Sequence, residues 1–532
     1  MKRSVRFFNT TGPCDPNDHY MLPPAGRLQN AQLHRYVSDK LYWSLHAPRQ
    51  TGKTTFLHSW VKELNAIENV VACCVSVERC QSLVEPERAM PAICDAIREA
   101  AIKYGFPMPR TTADTGTSAV SLVSSILTNW AELVVPKPLV VLFDEVDILE
   151  REVMVSFLRQ LRGGFATRGV GKFPISIALV GMKDLWEYIP DPKDGKPVIN
   201  PGSPFNVKQD SVFISNFTKE NVAELFAQRT EETGQQIEQA ALDHVWEQSQ
   251  GQPWMVNNLF MRATLRILKA DNYETVTLDN IQQAREQMIL GKETHLESLA
   301  YRIKDERVRK VIETILVGDS DPDLGESRGL DICQDLGLVV IEGGTPKVAN
   351  PIYKEILARQ ISYGTQLAIL EPAFRWQKPD GTLDMDTLLK EFQGFWQENS
   401  ETWEEKSDYT EAFPHLLLMA FLQRITNGEG HIEREYALGR KRLDLAVEFG
   451  GSWSIIEIKL LRNRQTFEKV KAEGLKQIVN YRDIFSSSRR MKDGKKIPCY
   501  LLIFDRRSED KKLPWEQRIT WNVEDEVTVV GC

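Results

Sequence analysis

Two stretches of this 532-residue chain hold residue types whose spacing suits chemistry on phosphates. The first is Ala47-Pro48-Arg49-Gln50-Thr51-Gly52-Lys53-Thr54-Thr55. A glycine followed by a lysine and a hydroxyl residue, after a strand and opening a helix, is the pattern of a phosphate-binding loop. Backbone N–H groups at the helix start cradle phosphate oxygens. Pro48 to Thr55 would line a nucleotide, with Lys53 on the β- and γ-phosphates and the Thr54 hydroxyl on a Mg²⁺ ion. Ala47 stands where such loops usually begin with glycine. The partner stretch is the apolar run from Leu139 to Phe143, ending in Asp144-Glu145-Val146-Asp147. Asp144 can hold the Mg²⁺ shell and Glu145 can polarise an attacking water. Asp147 can cap the next helix. Together these residues read as an ATP- or GTP-hydrolysing core.

The second stretch is Arg440-Lys441-Arg442-Leu443-Asp444, then Ile455-Ile456-Glu457-Ile458-Lys459, then Gln477. Glu457 and Lys459 are two apart and so share one face of a strand. Ile456, Ile458 and Leu460 take the other face, expected to be core. Asp444 belongs to a strand expected to neighbour it across the Gly450-Gly451 turn. Two carboxylates can hold Mg²⁺ through oxygen ligands. Such a metal polarises a scissile phosphate and lowers the pKa of a bound water, which Lys459 could orient or deprotonate. Residues 434–512 hold 20 Lys and Arg against 11 Asp and Glu, a net of +9. Arg440, Lys441, Arg442, Arg462, Arg464, Arg489 and Arg490 would flank the carboxylates, as befits a site for a polyanion. Trp453 or Tyr436 could stack on bases, though core packing is the plainer reading of either.

The elements that must position these residues follow from periodicity. Residues 1–30 are rich in Pro, Gly and Asn and read as an irregular arm. Apolar strands are expected at 41–45, 70–77, 139–143 and 175–180, with a helix over 51–65 carrying Leu57, Trp60, Val61 and Leu64 on one face. Runs of this kind suit strands buried on both faces of a parallel sheet. This makes 31–216 an α/β core. Thr218 opens a helical stretch, a lid over 217–295. Residues 296–365 read as helix, short hairpin and closing helix, the outline of a winged helix. A linker is expected at 366–410. In 411–532 strands and helices alternate again: a helix at 413–426, strands at 442–449, 454–460 and 499–504, and a helix at 467–485.

Composition bounds the class. Hydrophobic residues are 42% and charged residues 26%, which excludes fibrous and low-complexity proteins. The length suggests roughly three or four domains. No run of 18 apolar residues occurs, so no membrane span is expected. The basic start has no long apolar stretch behind it, so no signal peptide is expected either. Eight scattered cysteines without a CxxC pair read as free thiols in a reducing cytoplasm. The histidines show no zinc-ligand spacing. The net charge of −8 argues against a uniformly basic nucleic-acid binder, but it divides into the +9 segment and −17 elsewhere.

The phosphate loop and the Asp-Glu-x-Asp strand resemble the AAA+-related ATPases of the archaeal-type and STAND branch. Ser203-Pro204-Phe205-Asn206 and Gly251-Gln252-Pro253-Trp254 add to that resemblance, which covers roughly residues 5–360. It implies a P-loop parallel-sheet ATPase with a helical lid and a winged helix. It also implies that Gly251 and Pro253 approach the nucleotide. Lys183 or Asp184 stands where a sensor residue is usual, and Arg159, Arg162 and Arg168 are candidates for an arginine finger. The winged helix could bind DNA or serve as a packing or nucleotide-gating module.

Asp444 with Glu457-x-Lys459 resembles the PD-(D/E)xK nuclease superfamily, over about 411–532, and implies a restriction-endonuclease-like α/β domain. Gln477 and Tyr481 match that superfamily's Gln-x-x-x-Tyr helix, and Glu411 or Glu435 could add a metal ligand. The two resemblances imply ATP and Mg²⁺ as cofactors, with Mn²⁺ an alternative at the nuclease site. The implied partners are nucleic acid, DNA first, a second copy of the chain and a phage-derived or other trigger. The implied function is nucleotide-gated DNA cleavage in prokaryotic defence against phage or foreign DNA. Two other readings stand beside it: a nucleotide-switched scaffold that binds nucleic acid without cutting, and an ATP-driven DNA translocase in repair or mobile-element biology.

Overall fold

The structure, a computed structural model, describes residues 5–28, 32–66, 69–110, 118–182, 208–269, 273–291, 301–317, 328–357, 360, 376–404, 418, 422, 430–438, 441–463, 465–487, 497–505, 507 and 514–532. The chain divides into two compact units. Unit 1 is Met1–Glu293 with Asp331–Ile352, and unit 2 is Thr294–Leu330 with Tyr353–Cys532. The stretch that reads as a winged helix is thus shared between them.

Unit 1 is built on a five-stranded sheet in the order β2-β3-β4-β1-β5, where β1 is Tyr42–His46, β2 Val71–Ser76, β3 Leu139–Asp144, β4 Ser176–Gly181 and β5 Lys208–Phe213. Every pairing in it is parallel. Parallel strands need helical crossovers, which cover both faces and explain the unbroken apolar runs. One face buries Cys73, Val141, Phe143, Ile177 and Leu179 under α3 (Pro86–Lys103), α4 (Leu122–Leu133) and α5 (Arg151–Phe165). The other buries Trp43, Leu45, Val140, Leu142 and Val180 against Phe56, Leu57, Trp60, Val61 and Leu64 of α2 (Lys53–Ala66), which follows α1 (Leu33–Ser38). Because all strands run the same way, the ends of β1 and β3 meet one edge of the sheet. The Gly52-Lys53-Thr54 loop and the Asp144-Glu145 strand end both lie there.

The stretch that reads as a lid, 217–295, holds α6 (Lys219–Thr233), α7 (Gln239–Ser249), α8 (Pro253–Met261) and α9 (Leu278–Leu290). Thr218 caps α6 through a capping box with Asn221, and Thr277 caps α9 in the same way with Asn280. Every residue of α8 is buried. The N-terminal arm has no long regular element but is tightly packed. Phe8 stacks 5.8 Å from Phe226 and lies 5.0 Å from Phe260, and Arg6 pairs with Glu232 at 3.1 Å. Gln228 exchanges hydrogen bonds with the Met21 backbone, and Trp254 Nε1 donates to Thr10 O at 2.9 Å. The irregular composition therefore marks a strap fixed to α6 and α8, not a loose tail.

Next come α10 (Glu306–Val317), α11 (Arg328–Asp335), the hairpin β6 (Val339–Glu342) and β7 (Thr345–Val348), and a helix at 351–357. This is the helix–hairpin–helix order that the sequence suggests.

Unit 2 contains a six-stranded sheet in the order β12-β13-β11-β10-β9-β8, where β8 is Gly430–Leu438, β9 Lys441–Phe449, β10 Ser452–Leu461, β11 Cys499–Asp505, β12 Thr520–Glu524 and β13 Val527–Gly531. α12 (Met385–Glu404) falls inside the stretch that reads as a linker, 366–410. It buries Leu388, Leu389, Phe392 and Trp396 on one sheet face, against Leu445, Val447, Ile456 and Phe504. The domain core therefore begins near Trp376. Of the helix expected at 413–426 only Leu418 and Leu422 lie among the described residues, both buried in this same core. The opposite face is covered by α13 (Phe467–Ser487), the crossover between parallel β10 and β11. Gly474 permits its close approach, since a Cβ there would stand 2.5 Å from Leu501 Cδ1. A short α14 (Trp515–Arg518) precedes β12. No helix among the described residues is long and apolar enough to cross a membrane. All eight cysteines are free, and all but Cys14 are buried.

Candidate functional site

The phosphate loop leaves β1 and enters α2 with Gln50 and Gly52 at φ 58° and 93°. Left-handed residues of this kind form the backbone nest that takes anions. Lys53 Nζ donates to Ala47 O at 2.7 Å and Pro48 O at 2.9 Å, and Thr51 Oγ1 donates to Pro48 O at 2.8 Å. Burial lowers the Lys53 ammonium to about 8, against the pull of Asp147 and Asp144. Thr54 Oγ1 donates to Asp144 Oδ2 at 2.7 Å, joining the two motifs directly. Burial raises the Asp144 carboxyl, and the Thr54 hydrogen bond opposes that. A hydroxyl and a carboxylate in contact beside a lysine are a donor set that fits Mg²⁺ carried with a nucleotide.

Glu145 follows at φ 62°, a left-handed conformation that a non-glycine residue keeps only when its surroundings hold it there. Its N–H donates to Asp144 Oδ1 at 3.0 Å, and its Oε2 accepts from Ser76 Oγ at 3.0 Å. Burial raises its carboxyl. Ser76, at the end of β2, carries no sequence signal, because a serine ending a strand is ordinary. Asp147 lies inside the short turn Val146–Ile148, and the N-cap of α5 is Glu150, so Asp147 does not cap the next helix as the sequence suggests; its charge acts on Lys53 instead.

Two loop residues turn elsewhere: Arg49 is exposed, and Thr55 Oγ1 accepts from Cys14 N at 3.1 Å. The Gly251–Trp254 stretch reaches the loop through Gln252. Its Oε1 caps α8 at Met255 N, and its Nε2 lies 3.5 Å from Gln50 O. Pro253 is the first residue of α8, and Gly251 serves a close approach to the Phe217 backbone. A Cβ on Gly251, at φ +70°, would stand 1.9 Å from Phe217 O. Gly251→Ala is therefore expected to lower stability by at least about 2 kcal/mol and to weaken nucleotide binding, as thermal denaturation with and without MgATP would register. The turn between α11 and β6 also approaches the loop, a Cβ on Gly337 standing 2.6 Å from Pro48 Cβ. Arg168 donates to Lys40 O and Phe165 O and is held within its own chain, whereas Arg159 is exposed. Lys183, Asp184 and Ser203 to Asn206 lie outside the described residues.

In unit 2 the β9–β10 ladder runs from Phe449↔Ser452 to Leu445↔Ile456. The next residues along, Asp444 and Glu457, therefore fall opposite each other. There a side chain replaces the ladder, for Asp444 Oδ2 accepts from Ile458 N at 2.8 Å. Lys459 Nζ donates to Glu457 Oε1 at 2.7 Å. Glu457 is only 2% exposed, and its Oε2 is buried with no hydrogen-bond partner. Burial and the neighbouring Asp444 push its carboxyl up to about 7, against the pull of Lys459.

The face carrying Glu457 is not an open polar face. It also buries Ile455 and Leu461 under Val470, Ile478 and Tyr481 of α13. Tyr481 stands near the pair: burial first, then the charges of Glu457 and Asp444, push its hydroxyl up to about 12. Gln477 is exposed, and no hydrogen bond joins it to the carboxylates among the described residues. Trp453 packs against the core. Glu411, Arg440, Arg464, Arg489 and Arg490 lie outside the described residues, and Glu435, Tyr436, Lys441 and Arg442 are placed only by backbone.

Two carboxylates, one with an orphaned buried oxygen, suit a hard divalent cation. No group of three or more His, Cys, Asp or Glu side chains in ligand spacing occurs among the described residues. Further ligands would then come from water and phosphate.

No family model and no curated protein matches the chain. Among solved structures, the Walker-type ATPase of Pyrococcus abyssi aligns at 14% identity over 66% of this chain and 99% of its own, with a TM-score of 0.47. Cdc6p of Pyrobaculum aerophilum aligns at 13% identity over 63% of this chain and 96% of its own, with a TM-score of 0.35. The RuvB Holliday junction branch migration motor of Thermotoga maritima aligns at 13% identity over 61% of this chain and 90% of its own, with a TM-score of 0.32.

Proposed function

We propose that this chain is an AAA+/STAND-type ATPase whose nucleotide state gates a C-terminal metal-dependent nuclease acting on DNA. The observation that carries the nuclease half is the orphaned Glu457 Oε2, buried beside Asp444 and Lys459. A buried acceptor without a partner is costly and calls for a cation. Asp444 and Glu457 would hold Mg²⁺ or Mn²⁺, which supplies a polarised scissile phosphate and a water of lowered pKa. Lys459 orients that water and stabilises developing negative charge. In unit 1, Lys53 and the loop backbone hold the phosphates, Thr54 and Asp144 hold Mg²⁺, and Glu145 orients the attacking water.

Gating is inferred because an unrestrained nuclease would damage its own cell. Pairing a switch with a DNA-cutting effector suits defence against phage or foreign DNA, a role argued from the domain combination. Assembly into oligomers would bring several nuclease sites together and permit double-strand cuts. The test is plasmid cleavage by the purified protein with Mg²⁺ or Mn²⁺, with and without ATP. Metal-dependent cutting that changes with nucleotide and is lost in Lys459→Ala supports the proposal. Binding without cutting under every nucleotide and metal condition sinks it and leaves the scaffold reading.

A further inference from the structure

Between Asn9 and Cys14 the arm folds into a small loop held by one side chain. Asn9 is 7% exposed, and its Oδ1 accepts from Thr11 N at 3.0 Å. Its Nδ2 donates to Gly12 O at 3.3 Å and to Pro13 O at 3.4 Å. Gly12, at φ 65°, supplies the left-handed residue that the turn needs. A loop closed on its own amide in this way moves as one piece. Its ends are bonded to different helices. Cys14 N donates to Thr55 Oγ1 at 3.1 Å, in the first turn of α2. Thr10 O accepts from Trp254 Nε1 at 2.9 Å, in the first turn of α8. Just before the loop, Phe8 is 1% exposed and packs on Phe226 of α6 and Phe260 of α8. The arm meets the phosphate loop again at Gly52, where a Cβ would stand 2.7 Å from Arg27 Nη2. A connected path therefore runs from Thr55 through Cys14, Asn9 and Thr10 to Trp254.

Lys53 and Thr54 directly precede Thr55. Lys53 Nζ donates to Ala47 O and Pro48 O, and Thr54 Oγ1 donates to Asp144 Oδ2. Phosphates and Mg²⁺ would exchange those bonds for their own, so the first turn of α2 is where a nucleotide rearranges the sheet edge. Thr55 shares that turn, and its hydroxyl is bonded to the arm. α8 is buried along its whole length, so a shift at its first turn passes to the side chains packed around it. We propose that the Asn9–Cys14 loop is a coupling element, which passes a nucleotide-driven change at α2 to α8 and α6. The proposal rests on the reading of the Gly52-Lys53-Thr54 loop as a nucleotide site. It gives the irregular arm a task beyond packing, since the loop belongs to neither helix and is bonded to both.

The test is amide hydrogen exchange of the full-length protein with and without saturating MgADP, read separately in α2, α6 and α8, with MgADP affinity measured by calorimetry. The proteins compared are the wild type, Asn9→Ala, Trp254→Phe, the double variant and Lys53→Ala. In the wild type MgADP is expected to slow exchange in all three helices. Trp254→Phe keeps a ring and removes the N–H that reaches Thr10 O. It should bind MgADP within about threefold of the wild type, since Lys53, Thr54 and Asp144 are untouched. Slowing in α2 should persist, while slowing in α6 and α8 shrinks about 3- to 10-fold, the worth of one hydrogen bond. Asn9→Ala should do the same, and the double variant should add little to either change, because both break one path. Slowing in α6 and α8 equal to the wild type's in Trp254→Phe, and in Asn9→Ala where that variant folds, overturns the proposal. Wild-type slowing confined to α2 overturns it as well. If MgADP slows nothing in the wild type, or acts undiminished on Lys53→Ala, the nucleotide reading of the loop falls and the proposal falls with it.

Discussion

Glu457→Gln is expected to make the metal-free protein more stable at pH 8 and to abolish cleavage. The carboxyl is 2% exposed, and one of its oxygens has no partner. Burial and Asp444 hold it near 7, above its ordinary 4.5. For an acid whose folded pKa is raised, the folded state binds the extra proton. The fold then carries no penalty below pH 4.5, loses stability as pH rises toward 7, and stays penalised above that. The penalty at pH 8 is on the order of 3 kcal/mol, with the pull of Lys459 already included. Glutamine keeps the volume and the acceptor facing Lys459 and removes the charge. The variant should therefore denature several degrees above the wild type at pH 8, and the gap should close as pH falls to 4.5. Adding Mg²⁺ should raise the wild-type midpoint and leave the variant unmoved. Cleavage should drop at least about 10³-fold, the scale at which removing electrostatic stabilisation of a transition state is felt. A variant less stable than the wild type at pH 8, or a gap independent of pH, would show that Oε2 is satisfied by something other than a metal.

The two sites differ in how far the sequence discloses them. Lys53, Thr54 and Asp144 are legible because loop and strand ends have fixed geometry, and the Thr54–Asp144 hydrogen bond at 2.7 Å joins the two motifs. Asp444, Glu457 and Lys459 are legible because spacing by two on a strand sets a shared face. What escapes is whatever depends on long-range packing. Ser76 and Arg27 gain their places beside Glu145 and Gly52 from residues 69 and 25 positions away. The arm reads as irregular because it has no periodicity, yet Phe8 and Tyr20 are as buried as any core residue. α12 reads as linker because Pro379-Asp380-Gly381 and the acidic residues around 400 hide the apolar stripe of Leu388, Leu389, Phe392 and Trp396. The division of β10 into a Glu457–Lys459 face and an Ile456–Ile458 core face rests on alternation alone. Alternation cannot tell a solvated face from one covered by a crossover helix, and α13 covers this one.

Glu145→Gln is expected to separate nucleotide binding from turnover. The glutamine side chain would keep an oxygen for the Ser76 hydroxyl and the same backbone N–H to Asp144, so the geometry around the phosphate loop should persist. MgATP affinity should stay within about threefold of the wild type, since Lys53, Thr54 and Asp144 are untouched. Hydrolysis should fall about 10²- to 10⁴-fold, the usual contribution of a positioned general base. In the wild type, burial raises the Glu145 carboxyl, so hydrolysis should fall on the acid side at a pH above the ordinary glutamate range, and the variant should lack that limb. The same variant reads the direction of the gate. If the ATP-bound state licenses cutting, Glu145→Gln will cleave plasmid in the presence of ATP with almost no phosphate released. If cutting needs successive turnovers, as a translocase does, the variant will bind ATP and leave the plasmid intact. The first outcome is expected, because a two-state gate needs only a ligand that favours one state, whereas movement along DNA needs continuing hydrolysis.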